Sequence, residues 1–429
     1  MMRTRGIAIL SLAIFIGVLS MFGRHTQKPC LEPANKHPLW INVFVHGVVQ
    51  PSVNPRDIVC YLKDEVEGTF NSRLVDEIRN DEFFHKTQPV QYNGLQKIEN
   101  FDTQTMNSLL SKLYTIQTPF IHNECYTFGW SGYMSVKWRA KAGNELYYAL
   151  QKEVDWYRTM GYEPKIRLIG YSHGGNVLLN MGRAYEESKA KQVPFRVDEL
   201  VLIGMPVQND TACYIHSPLF KHVYHLYSGK DRAQQLDIFS KAGGLSGKTF
   251  KYNLEKCPTK LTQVEIRVTR NTHGCIQRCK DTDPRYNFAD PNILIGNAFG
   301  LRDHSPGHIE LWFLGWNTQY FRKDFPLYPL PISAFIPFIT TSINNAHIAV
   351  PPRTPLVFDI RPDQDTVILR PKKSTVCRDV IPFLNKTIRT EMYELAQQYP
   401  LTDYTPCAIE KHLEKLTQQV KKEWKAAKS

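Results

Sequence analysis

The chain has 429 residues, 42% of them hydrophobic and 22% charged, a composition that suits a globular protein with a large core and excludes a disordered or fibrous one. Fifty-three Lys and Arg against 41 Asp and Glu give a formal net charge of +12. No aromatic-interleaved basic stripe accompanies that charge, so no nucleic-acid partner is expected, and an anionic membrane surface is the more economical attractor.

The basic residues gather at the two ends. Arg3, Arg5, Arg24 and Lys28 flank the apolar run Gly6 to Phe22, and Lys411, Lys415, Lys421, Lys422, Lys425 and Lys428 lie near the C-terminus. At 1.5 Å per residue the N-terminal run would span about 25 Å, short for a transmembrane helix and long for a signal-peptide core. Residues 1–30 are therefore expected to form an uncleaved signal anchor, with the catalytic part outside the cytoplasm. The alternative is a signal peptide cleaved near Ser20, which would leave a secreted or periplasmic protein, although no clean Ala-x-Ala site is present.

Beyond a polar linker ending near Pro38, Leu39–Val45 is a near-continuous β-branched and aromatic run, as in a strand buried on both faces, and it ends in His46-Gly47. Helix-like patterns follow at Ile58–Phe70, Arg73–Phe84 and Asn107–Leu113. Cys125–Trp130 reads as a second buried strand, Ala142–Met160 as a helix, and Ile166–Ile169 as the next strand, which leads to Gly170-Tyr171-Ser172-His173-Gly174-Gly175 and a helix over Asn176–Lys191. Further strands are expected at Glu199–Gly204, His222–Tyr227 and Thr262–Val268, the last with an alternation suggesting a sheet edge. A helix-like run covers Ile309–Phe321. The prolines of Phe325–Pro355 suggest a boundary or cap, and its apolar part, Phe325–Phe338, suggests either a rim against a bilayer or ordinary packing over the sheet. A short strand at Asp365–Leu369 and a basic helix at Ile409–Lys425, apolar along Leu413, Leu416 and Val420, close the chain. Strands alternating with helices place the fold in the α/β class, a mainly parallel sheet flanked by helices, over residues 38–325, with 326–429 as a C-terminal extension.

Nine cysteines, Cys30, Cys60, Cys125, Cys213, Cys257, Cys275, Cys279, Cys377 and Cys407, are plentiful for a cytosolic enzyme and compatible with disulfides in an oxidising space. His273, Cys275 and Cys279 lack the spacing of a zinc knuckle, so a loop disulfide or free thiols is the better reading. No metal or cofactor is expected.

The run at residues 170–175 matches G-x-S-x-G between a strand and a helix, a sharp turn that exposes the serine oxygen. A serine hydroxyl needs an imidazole to take its proton and a carboxylate to fix that ring's tautomer. Together with His46-Gly47 after an early strand, an acid after a later one and a histidine after the last, this elbow resembles the α/β-hydrolase superfamily, closest to its lipases and esterases, over about residues 38–325.

The resemblance implies Ser172 as nucleophile and Asp231 as the acid, with Asp237 in reserve. It implies His308 as the base, with His304 and His273 as alternatives, while His222 and His225 alternate along a strand and read as structural. The backbone amides of His173 and Val48 would form the oxyanion hole. The activity implied is hydrolysis of an acyl ester, with a lipid-like substrate favoured. An amidase, thioesterase or acyltransferase would use the same residues, and a non-catalytic anchored binding protein on the same scaffold is the reading from another class.

Overall fold

A computed structural model describes residues 38–49, 65–86, 88–90, 93–99, 105–188, 193–235, 246–251, 258–271, 301–315, 325–346, 353–374, 378–399 and 406–427. The N-terminal segment, the helix-like run before residue 65, His273 and Asp237 lie outside these residues. So do the side chains of all the cysteines except Cys125, a buried free thiol, and Cys213, an exposed one.

The strands are β1 Leu39–Val45, β2 Gly94–Lys97, β3 His122–Gly129, β4 Lys165–Tyr171, β5 Val197–Ile203, β6 Phe220–Tyr227, β7 Leu261–Asn271, β8 Leu301–Asp303, β9 Leu356–Arg361, β10 Thr366–Pro371 and β11 Asp379–Pro382. Ten of them follow the order β11-β10-β9-β7-β6-β5-β4-β1-β3-β2, and β8 pairs with β7 off this path. From β3 through β9 the main path is parallel, while β2, β10 and β11 are antiparallel to their neighbours. The chain is thus of the α/β class, a mostly parallel mixed sheet flanked by helices.

The period-2 geometry of a strand sorts side chains onto two apolar layers. On β4, Ile166 and Leu168 join the layer that holds helices α3 (Val136–Thr159) and α4 (His173–Glu187), whereas Ile169 and Tyr171 face the opposite layer with helix α2 (Met106–Gln117). Both faces being apolar is why β1, β4 and β5 read as largely hydrophobic runs, interrupted at Asn42, Arg167 and Glu199, where Arg167 donates to Glu199 at 2.6 Å and to Asn42 at 3.2 Å. The helices start where side-chain oxygens cap them: Thr105 accepts from Ser108 N at 3.3 Å, and Ser135 from Trp138 N at 3.3 Å. A third, smaller cluster forms where helix α1 (Phe70–Asn80) meets the C-terminal helix α7 (Pro406–Ala426) through Leu74, Ile78, Leu416 and Val420.

Three expectations from sequence change here. Strand β7 is not an edge, because β6 and β9 pair with it on either side. Its alternation has another cause: Val264, Ile266 and Val268 face the core, while Glu265 and Arg267 pair with each other at 2.7 Å and Thr269 donates to Asp359 at 2.7 Å on the other face. Of the two readings of the apolar segment after Phe325, a rim against a bilayer and packing over the sheet, its burial matches the second. Leu327, Leu330, Ile332, Phe335 and Ile339 are fully buried, and the segment, including helix α5 (Ile336–Asn344), packs as core. The helix-like run from Ile309 is a single 3-10 turn, Ile309–Leu311, over the residues described there. Residues beyond 326 also contribute β9–β11 to the same sheet and helix α6 (Lys386–Gln397) to its core. Among the described residues, no helix is long and apolar enough to cross a membrane.

Val357, Phe358, Ile360, Val367 and Leu369 are fully buried in β9 and β10. At about 1.5–3 kcal/mol each, their burial matches the whole net stability of about 5–15 kcal/mol typical of a domain. Ending the chain after Ala346 is therefore expected to abolish cooperative folding, read as loss of soluble yield and of a thermal transition by circular dichroism. A truncated protein that melts cooperatively within a few degrees of the full chain would contradict this.

Candidate active site

Strand β4 lies near the middle of the sheet and delivers Ser172 to its C-terminal end, where ligands of open α/β sheets bind. Ser172 sits at φ 50° and ψ −128°, a conformation that a residue with a Cβ adopts only at a cost of about 1–3 kcal/mol. Its N–H donates to Ile203 O at 2.9 Å, which ties the turn to the end of β5. Helix α4 starts at the next residue.

The glycines of the motif are required by contact. A Cβ at Gly174 would come within 2.4 Å of Val45 O and 2.5 Å of His46 O, so helix α4 can approach the end of β1 only without one. At Gly47 a Cβ would lie 2.9 Å from the Ser172 Cβ. The His46-Gly47-Val48 turn therefore lies directly against the serine, with Val48 half-buried beside it.

Asp231 and His308, expected as acid and base, lie side by side. Asp231 follows β6 in a tight turn, its N–H donating to Ser228 O at 3.2 Å, and its carboxylate is fully buried. One oxygen accepts from Ala233 N at 3.0 Å, and the other accepts from His308 Nδ1 at 2.8 Å. With Nδ1 as the donor, Nε2 carries the lone pair, the tautomer a general base needs. A side chain at Gly204, the residue after Ile203, would collide with both partners: Asp231 Oδ2 lies 3.0 Å and His308 Nδ1 3.3 Å from its Cβ position. The pair thus sits at the end of β5, beside the carbonyl that holds the serine.

Tyr171 clamps the histidine loop onto the elbow. Its hydroxyl donates to His308 O at 3.0 Å, its ring stacks on Trp312 at 5.1 Å, and the His308 ring lies 4.7 Å away. Buried Glu310 closes the loop by accepting from Gly307 N at 3.1 Å. His304 is buried at the start of this loop, with its N–H donating to Val268 O at 2.7 Å; the imidazole that meets Asp231 is that of His308.

The other histidines of this region are held by burial. His46 is stacked on Trp130 at 5.6 Å, with Nδ1 against Gly47 O at 2.8 Å and Nε2 accepting from Trp130 N at 3.4 Å. Desolvation, reinforced by the nearby Arg79 charge, holds its pKa down to about 3. Buried His225, beside Gln263 Oε1 at 3.3 Å, is held to about 4 by the same loss of solvation. His173 is also buried, and desolvation and then the Arg139 charge hold it well below the ordinary imidazole range. Arg139 Nη1 donates to His173 Nδ1 at 3.2 Å and Nη2 to Gln208 Oε1 at 2.9 Å. The residue that follows the serine is thereby tied to helix α3 and to the segment after β5.

Sequence reading missed Tyr171, Gly204 and Arg139. Arg139 carries a signal, because it falls on the same helical stripe as the apolar Ala142 and Leu146, where a charge is out of place unless it has a task. Among the described residues no group of three or more His, Cys, Asp or Glu is arranged to hold a metal ion. Comparison of the chain with protein-family models and with curated proteins gives no match.

His46 and His225 are neutral when folded, so the stability they confer is complete above the unfolded histidine pKa near 6.5 and is lost as the pH falls toward 4 and 3. Each adds about 1.4 kcal/mol per pH unit within that window. Urea midpoints are expected to fall steeply between pH 6.5 and 4.5, with a shallower fall in His46→Gln; equal slopes would count against a neutral His46.

Proposed function

We propose that the chain is a serine hydrolase of the α/β-hydrolase type that cleaves an acyl ester. The observation that carries this reading is the 2.8 Å hydrogen bond between His308 Nδ1 and the buried Asp231 carboxylate, formed beside a serine in a strained strand-to-helix turn. Ser172, Asp231 and His308 occur in the order nucleophile, acid, histidine, after the strands where this type of fold carries them.

In this mechanism His308 Nε2 takes the Ser172 proton as Oγ adds to the acyl carbonyl, and Asp231 stabilises the imidazolium that results. The carbonyl oxygen becomes an oxyanion facing the amides of His173 and Val48, where each donor contributes about 3–4 kcal/mol to the barrier reduction. Collapse of the tetrahedral adduct breaks the ester C–O bond, and His308 returns the proton to the leaving alcohol. Water then repeats the sequence on the acyl-enzyme, with His308 again as base, and releases the acid. Burial of Arg139 and His173 beneath the first amide keeps that donor fixed before the charge develops. The basic charge and the N-terminal apolar run support an enzyme anchored at a membrane with its catalytic part outside the cytoplasm.

A fluorophosphonate probe is expected to label the purified wild type and not Ser172→Ala. Serine-independent labelling, or none, would overturn the hydrolase reading. For the base, His308→Ala is expected to lower kcat on a p-nitrophenyl ester by about a thousandfold or more, while His304→Ala stays measurable, with thermal melts of both variants separating lost chemistry from lost fold. The reverse pattern would move the base to His304.

A further inference from the structure

A crevice of about 410 Å³ opens at the C-terminal end of β3, two strands away from the nucleophile strand. Its floor is Gly129, Trp130, Ser131 and Tyr133. One wall is helix α1, where Ser72, Asp76 and Arg79 recur at i, i+4 and i+7 and so form a single stripe, and the other is the first turns of helix α3 with Trp138, Lys141 and Glu145. Trp130 joins this crevice to the proposed oxyanion turn, because the same side chain donates from Nε1 to His46 O at 2.8 Å and stacks on the His46 ring. The end of β3 lies two strand spacings, about 10 Å, from the end of β4 that leads to Ser172.

The lining has a definite chemistry. Six charged side chains contribute, Glu67, Asp76 and Glu145 against Arg73, Arg79 and Lys141, so the formal charges cancel and neither an anion nor a cation is favoured. Several are already engaged: Arg79 Nη1 donates to Asp76 at 3.1 Å and Nη2 to Asn93 at 3.3 Å, and Lys141 lies 3.9 Å from Glu145. An ionic ligand would have to displace these partners. A hydroxyl group need not, since it can donate to a carboxylate and accept from a guanidinium at once. Half-buried Trp138, with buried Tyr133 edge to face at 5.7 Å and Lys141 Nζ 4.7 Å above its ring, puts an indole edge in the wall. A volume of this size falls in the usual range for small-molecule sites, about 300–1,000 Å³.

We propose that this crevice is the subsite for a neutral, sugar-type polyol, the alcohol half of the ester that Ser172 opens. The inference rests on the hydrolase reading for its reaction and on the crevice alone for its ligand. A polar crevice suits the hydroxylated half of an acyl ester and not its hydrocarbon half, which assigns the acyl chain to a path away from β3.

Two measurements test it on the full chain. In the first, hydrolysis of three laurate esters is compared: methyl laurate, glycerol monolaurate and 6-O-lauroyl glucose. The glucose ester is expected to exceed the methyl ester at least tenfold in kcat/KM, and Glu67→Gln with Glu145→Gln, both exposed wall positions, is expected to cut that ratio severalfold. A ratio near one, a ratio the double variant leaves unmoved, or preference for the glycerol ester would overturn the sugar assignment while leaving the hydrolase standing. In the second, methyl glucoside is titrated against intrinsic tryptophan fluorescence in the wild type and in Trp138→Leu. Saturable quenching in the wild type that is weakened in the variant supports the subsite even if Ser172 proves unreactive. No saturable change in the wild type refutes it, whatever the fluorophosphonate result.

Discussion

The rest of the structure depends on the backbone of Ser172, held at φ 50° between a central strand and the first turn of a helix. A residue with a Cβ persists there only if its neighbours over-determine the position. They do so from three sides: β4 is paired on both edges, helix α4 packs on helix α3 and β4, and the serine N–H is anchored on Ile203. The strain of about 1–3 kcal/mol is small beside the burial of Val177, Leu178 and Met181, which seat the helix in the core. Close approach of the helix to β1, possible because residue 174 has no side chain, is what sets the His46-Gly47-Val48 turn against the serine.

A second dependence runs through Tyr171. The residue before the serine points to the opposite layer, where it takes up Trp312 face to face and the His308 carbonyl by a hydrogen bond. A loop more than a hundred residues later in the chain is thereby docked on the elbow. The turn at Asp231 completes the arrangement from the next strand but one, and the space left by Gly204 allows carboxylate and imidazole to meet above β5. Four segments distant in sequence thus converge at the C-terminal end of the central strands, as parallel topology permits, because successive parallel strands end on the same side.

Burial sorts the histidines. His46, His173 and His225 are enclosed, and loss of solvation makes their neutral forms the stable ones. They serve as shaped, uncharged hydrogen-bonding parts: His46 in the turn below Val48, His173 in a chain with Arg139 and Gln208, and His225 against Gln263. His308 differs, being partly open to solvent and seated on a buried carboxylate. A proposed base has to be open to solvent, and His308 is, unlike those three.

Much of the scaffold is legible from residue order. The apolar runs at β1, β4, β5 and β6 and the glycine spacing of the elbow are local signals, set by strand period and by turn sterics, and the structure places each within a few residues of its expected span. The position of Asp231 is legible too, as the carboxylate after the second strand beyond the elbow, where it meets His308. The choice among late histidines is not, because it depends on which imidazole the docked loop turns toward Asp231, and that docking is made by Tyr171 and Trp312. Nor is the interior place of β7: its polar residues read as solvent-facing until β9 and β10 bring Asp359 and Lys372 to pair with that face. Local chemistry along the chain therefore specifies the strands, the elbow and the position of Ser172 within it, because those depend on neighbours a few residues away. Which histidine meets Asp231, and that residues 356–374 and 378–399 build the same sheet and core, depend on long-range packing, and no local pattern encodes which distant surfaces will fit together.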